Sequence, residues 1–207
     1  IDSDQFCDLF SGTAIVSAAL RDEYNILSND IQCYSSIFCH TYFSNLNQLI
    51  TSEEIKKIEK SSIDRYNEFK TKYPQFNFDY SDKKNYEQIK TLELQQQNLI
   101  NYDFGIGFNL FAKCYSGTYW SYDQCVWIDS IRSVAEDYEG TPKYYAILSA
   151  LIFAMSYSSQ STGHFAQFRD ITKSNMNDIL IYRHKDIFKL FSNKLTELIA
   201  KLNVEPK

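Results

Sequence analysis

Residues 5–31, QFCDLFSGTAIVSAALRDEYNILSNDI, decide the fold. QFCDLF (5–10) is a short apolar run that carries an acid near its end. SGT follows as a turn, and AIVSAALRDE then has helical spacing, with Ile15, Ala18, Ala19 and Asp22 on one face. Tyr24 to Ser28 is a second strand candidate, ending at Asn29-Asp30. Ile31 to Tyr42 reads as a helix, with Ile31, Tyr34, Ile37, Phe38 and Phe43 as its apolar residues. Strand, turn and helix occur twice within about forty residues. That order predicts the opening of a doubly wound α/β domain.

In an open α/β sheet, ligands bind outside the carboxyl ends of the strands. Asp8 to Thr13 lies at one such end. Gly12 lets the backbone approach a ligand and turn into the helix, whose first N–H groups are free for an anion. Asp30 lies at the end of the second strand, where an acid can accept from two ribose hydroxyls. A dinucleotide site would call for G-x-G-x-x-G, but this loop has a single glycine. The pattern therefore favours a nucleoside with a short charged tail. Without a ligand, Gly12 is a tight turn and Asp30 a helix cap, and spacing leaves both readings open. FGIG (104–107) lacks a strand-to-helix switch and a third glycine, so it is not read as a nucleotide loop.

The rest of the chain is mostly helical. A helix starts at Ser52, capped by Ser52 or Thr51, and runs through Ile58, Ile63, Tyr66 and Phe69 until Pro74 stops it. Further helices are predicted over 86–100, 122–137, 143–158 and 186–202. Residues 101–121 read as a loop with three glycines, and 160–170 as a turn-rich connection. The longest apolar stretch, Tyr144 to Tyr157, is too short to span a bilayer and is expected to be a buried core helix.

At 207 residues, with 44% hydrophobic and 23% charged residues, the composition is that of an ordinary globular protein of one large or two small domains. Ile1 stands where Met would, so the natural N-terminus is expected upstream or removed. The net charge of −5 argues against a surface wholly given to nucleic acid. Residues 160–207 are nevertheless net +3 and the remainder net −8, which leaves room for a local basic face. The five cysteines (7, 33, 39, 114, 125) are odd in number and form no C-x-x-C pair. They are expected to be small buried hydrophobes in a reducing cytoplasm. No zinc spacing joins them to His40, His164 or His184, so no metal site is expected.

DLFSGTAIVSAAL followed by ILSNDIQCYSSIF resembles the first motif and next strand end of the Dam-like S-adenosylmethionine-dependent DNA adenine methyltransferases. The family reads D-L-F-S-G-T-G, then N-D-I-Q-x-Y-S. The resemblance continues at Tyr115 to Arg132 and at Leu148 to Arg169, covering roughly 70 residues in all. It implies the start of a Rossmann-like methyltransferase sheet followed by a mostly helical DNA-recognition region. It also implies that Asp8, Phe10, Ser11, Gly12 and Thr13 hold the methionine part of S-adenosylmethionine. Asp30 matches the acid on the ribose hydroxyls, and Ile31 the apolar residue against the adenine ring. Ala14 is a departure, standing where the family has the second glycine of F-x-G-x-G.

A larger departure is the family's catalytic Asp/Asn-Pro-Pro-Tyr/Phe motif. The only prolines are Pro74, Pro142 and Pro206, and no two are adjacent. In the Dam-like order this motif comes last. The chain is therefore expected to be the front part of a longer enzyme or one half of a split one. On this plan residues 1–44 are the start of the cofactor domain, 45–185 the target-recognition region, and 186–207 a helix leading back. The implied partners are double-stranded DNA and a catalytic segment, C-terminal or on a partner chain, with no membrane. Arg169, Lys173, Arg183 and Lys185 are the phosphate candidates. Gln160, Ser161, Thr162, His164 and Gln167 are the candidates for contacting DNA or shaping the target pocket. The implied activity is methyl transfer to the exocyclic amino group of adenine in DNA. The competing readings are a catalytically silent cofactor- and DNA-binding subunit and an unrelated nucleoside-binding α/β protein.

Overall fold

The polypeptide opens with β1 (Gln5–Asp8), α1 (Ile15–Leu20), β2 (Asn25–Ser28) and α2 (Cys33–Phe43). The computed structural model describes residues 4–44, 50–81, 85–161 and 167–202. β1 and β2 run parallel, in register from Gln5 opposite Asn25 to Asp8 opposite Ser28. Alternation along the strands turns Phe6, Asp8, Ile26 and Ser28 inward and leaves Gln5, Cys7, Asn25 and Leu27 exposed. The predicted βαβα opening is therefore present, as the parallel start of an α/β fold.

The face of α1 differs from its prediction. Ile15 and Ala19 are exposed, and the residue buried against the sheet is Ser17. Helical period gives a spacing but does not say which side meets the strands. Ile31 likewise precedes α2 rather than packing in it, and is 96% exposed.

The helical block consists of α3 (Ser52–Lys72), α4 (Tyr86–Gln97), α5 (Leu110–Cys114), α6 (Tyr122–Glu136), α7 (Pro142–Ser158), α8 (Met176–Arg183) and α9 (Ile187–Leu202). Local signals set most of the boundaries. The Thr51 hydroxyl accepts from the Glu54 N–H at the start of α3, and the Asn85 side chain accepts from the Gln88 N–H at the start of α4. Ser121 and Gln124 form a reciprocal capping box on α6. A 3-10 turn (Asn98–Asn101) continues α4.

α5 lies inside the stretch expected to be a loop. Its cap comes from α6, where the buried Asp129 carboxylate accepts from the N–H groups of Phe111 (3.1 Å) and Ala112 (2.8 Å). Burial, opposed by these two bonds, pushes the Asp129 carboxyl up to about 6. α8 was not foreseen either.

α7 is the buried helix the sequence predicted, with α2, α6 and α9 packed around it. The α/β opening joins the helical block through α2. Thr41 Oγ1 and Ser149 Oγ are 2.8 Å apart, and the His40 ring stacks on Tyr145 with centroids 4.3 Å apart. No helix among the described residues is long and apolar enough to cross a membrane. The cysteines depart from expectation. Cys125 is buried, whereas Cys7 and Cys33 are exposed, since their positions face away from the packed side of β1 and α2.

Candidate functional site

The carboxyl ends of β1 and β2 meet in one loop cluster. The backbone N–H and the hydroxyl of Ser11 both donate to the Asn29 carbonyl at 3.0 Å. The Asn29 side chain returns a bond to the Leu9 carbonyl at 3.1 Å. Gly12 turns at φ +51°, and only the Phe10 carbonyl, 4.0 Å away, would meet a Cβ there. The loop is thus pinned from behind and open in front.

Asp30 is tied into this loop. Its Oδ2 accepts from the Gly12 N–H and its Oδ1 from the Gln32 N–H, both at 2.8 Å. The Gln32 and Gly12 N–H groups hold its carboxyl below the usual carboxylate range. The Ser35 hydroxyl and the Ile31 N–H lower it further, so the carboxylate stands ionised at the loop as an acceptor. Phe10 (89% exposed) and Ile31 (96%) flank the loop as large apolar residues open to solvent. A single glycine turn, a fixed carboxylate and two uncovered apolar side chains fit a nucleoside bearing an amino-acid tail. Among the residues expected here, Ser11, Gly12 and Asp30 are drawn together by these bonds, and Asp8 joins them through its carbonyl, which accepts from the Asn29 N–H at 2.8 Å. Thr13, Phe10 and Ile31 lie on the loops that the bonds fix.

Ala14 stands at the N-cap of α1 with φ 58° and ψ 18°, fully buried. That conformation costs an L-residue about 1–2 kcal/mol. Ala14→Gly is expected to raise stability by about 1 kcal/mol, seen as a melting temperature higher by about 2–4 °C. A lower melting temperature would mean that the buried methyl packs more favourably than the strain costs.

The residues expected to meet DNA divide. Thr162 and His164 lie outside the described residues. Ser161 is half-buried and pairs in an antiparallel bridge with Phe168. Gln160 is 0% exposed, and its amide atoms have no hydrogen-bond partner among the described residues, so as placed it is no surface contact. Arg183 is also withdrawn from the surface, 5% exposed, which corrects its reading as a phosphate contact. Its Nε and Nη2 donate to Glu93 Oε1 (2.8 Å) and Oε2 (2.6 Å), and Nη2 donates to the Thr118 carbonyl (2.7 Å). Lys185 is half-buried, donating to the Tyr157 carbonyl at 2.6 Å with Nζ 4.0 Å from the Tyr182 ring centre. Burial lowers its pKa.

Gln167 and Lys173 are exposed, and Arg169 is half-exposed beside Asp178 at 3.7 Å. Lys173 and Lys90 approach the Tyr86 ring to 6.0 and 5.4 Å. Lys90 and Arg169 also line one cleft of about 270 Å³. Sequence reasoning missed Lys90, because α4 and the 167–173 segment are far apart along the chain. Among the described residues no group of three His, Cys, Asp or Glu could hold a metal ion.

The family model described as D12 class N6 adenine-specific DNA methyltransferase matches residues 1–203. The modification methylase StsI of Streptococcus sanguinis is similar, with 25% identity over 215 residues, covering 97% of this chain. The match takes in 28% of that protein, so the chain spans less than a third of its relative's length. No solved structure matches.

Proposed function

The chain belongs to the D12 class of N6 adenine-specific DNA methyltransferases, and from that membership we propose that it is the cofactor-loop and target-recognition part of such an enzyme. The family uses S-adenosylmethionine as its cofactor. When bound, the cofactor supplies an electrophilic methyl group on a sulfonium centre. The family match over 1–203, with the cradle of Asp8, Gly12 and Asp30 at its front, carries this reading.

In it, Asp30 takes the ribose hydroxyls and Ile31 lies against the adenine ring. The turn from Asp8 to Thr13, with Phe10 and Ser11, receives the amino-acid tail. Residues 45–185 supply the recognition region. Arg169 and Lys173, joined by Lys90, contact phosphates, and Gln167 lies beside them for base or backbone contact. The target adenine is turned out of the duplex so that its amino group can reach the methyl group, and positioning carries most of the rate.

The test is transfer of tritium-labelled methyl to duplex DNA, with the product identified as N6-methyladenine. Labelled cytosine, or no DNA labelling by the whole protein, would sink the reading. Phosphate contact has its own test in a salt series. Lys173→Ala and Lys90→Ala are each expected to weaken DNA binding and to lower the slope of log K against log salt by about 1. Unchanged slopes would remove these residues from the interface.

A second reading is a catalytically silent cofactor- and DNA-binding part that needs a partner segment. Two observations favour it. No two of the three prolines are adjacent, so the Pro-Pro motif is not among these residues. Cys7 and Leu27 also stand exposed on one sheet face, beside Gln5 and Asn25, whereas parallel sheets are ordinarily covered on both faces. Methyl transfer by residues 1–207 alone would exclude this reading. Transfer only after a motif-bearing segment is added would establish it.

A further inference from the structure

The buried side of α1 raises a question that packing does not answer. A short helix crossing over a parallel sheet ordinarily presents Ala, Val or Leu to the strands. Here the fully buried position is Ser17, while Ile15 and Val16 are exposed. A hydroxyl in that seam is unfavourable unless it is hydrogen-bonded, and Ser17 is bonded on both sides. Ser28 Oγ donates to Ser17 Oγ at 2.7 Å, and Ser17 Oγ donates to Asp8 Oδ2 at 2.8 Å. Asp8 and Ser28 are direct register partners at the carboxyl ends of β1 and β2. The three side chains thus form one row, from strand to helix to strand, with every donated proton directed toward the carboxylate.

A row of this kind polarises along its length and holds the terminal acceptor in one orientation. It occupies Oδ2 of Asp8 and leaves Oδ1 without a partner among the described residues. We propose that Ser17 and Ser28 are positioning residues that orient the Asp8 carboxylate so that Oδ1 receives the ammonium group of the cofactor's amino-acid tail. The proposal rests on the cofactor reading above, which already gives Asp8 to the amino-acid tail, and adds Ser17 and Ser28 as the residues that orient it. The Ser28–Ser17–Asp8 row serves the charged tail, and Asp30 serves the nucleoside.

Two ligands separate these ends. S-adenosylhomocysteine carries the ammonium group, and 5′-methylthioadenosine keeps the nucleoside thioether without it. Calorimetric titration of the protein with each is the experiment. Ser17→Ala is expected to weaken S-adenosylhomocysteine about 10-fold while leaving 5′-methylthioadenosine within about 2-fold. Ser28→Ala should show the same pattern at about 3-fold, and it keeps the test open if the Ser17 variant fails to fold. Asp8→Asn should show the pattern most strongly. Equal weakening of both ligands would make the row a structural tie between helix and sheet, and no weakening of either would leave it without a role in binding. Both outcomes overturn the proposal. If the unaltered protein binds neither ligand, the cofactor reading itself fails, an outcome distinct from loss in the variants.

Discussion

Asp30→Ala is expected to weaken S-adenosylmethionine binding about 100-fold, measured by calorimetric titration. Two effects combine in that loss. On the proposed reading the ribose hydroxyls lose a charged acceptor, and the Gly12 N–H, now bonded to Oδ2 at 2.8 Å, loses the partner that fixes the turn. Asp30→Asn separates the two, because an amide oxygen can still accept from one N–H but brings no charge, so its effect should be intermediate. The same bonds set a pH dependence. The carboxyl is held below its ordinary value by the Gln32 and Gly12 N–H groups. Its contribution to folding is therefore complete above the unfolded-chain value of about 4, and is lost as pH falls through the lowered folded-state value. Undiminished affinity in Asp30→Ala would remove Asp30 from the proposed ribose contact.

The largest loss of stability is expected at Arg183. Its guanidinium and the Glu93 carboxylate are both buried, with side chains 1% and 5% exposed. Glu93 also accepts from the Tyr80 hydroxyl at 2.6 Å, and Tyr80 in turn accepts from Gln96 Nε2 at 2.6 Å. Gln96 Oε1 accepts from the Tyr122 N–H, which ties the network to the start of α6. Gly117 is required beside it, since a Cβ there would lie 2.4 Å from the Glu93 carbonyl oxygen. Arg183→Met leaves a buried carboxylate uncompensated and should cost about 3–5 kcal/mol. For a chain of this size that lowers the melting temperature by roughly 10–15 °C. Replacing Glu93 and Arg183 together by Met should recover most of the loss, because desolvating the pair offsets much of its attraction. If Arg183 served phosphate binding instead, the single variant would lose DNA affinity with little change in melting temperature.

Much of the loop geometry at the two strand ends was legible in the residues. Gly12 and Asp30 lie at successive strand ends, and the structure joins them by a direct hydrogen bond. Asp30 also bonds the Gln32 N–H two residues on, a turn ahead of α2 and not a side-chain cap on it. Nothing in the spacing indicated that one carboxylate would do both. The DNA side was less legible. Arg169, Lys173, Arg183 and Lys185 look alike as charges in a basic quarter of the chain. Arg183 meets a carboxylate 90 residues away and is buried, and Lys185 is held at the Tyr157 carbonyl. Lys173 stays exposed and gains Lys90 as a neighbour across Tyr86.

The sequence by itself determined the βαβα opening, the loop at Asp8 to Thr13, the buried helix α7 and the family. Helix caps such as Thr51 and Ser121, and the stop at Pro74, were also local matters. Their bonds join residues three or four apart, so composition and order carry them without reference to the rest of the fold. Only the tertiary structure decided that Ser17 faces the sheet, that Asp129 caps α5, and that Arg183 is an internal ion pair. In each case the deciding partner comes from another element, 9, 17 and 90 residues away. Whether a polar side chain is buried and satisfied depends on what packs over it, and one-dimensional periodicity does not contain that information.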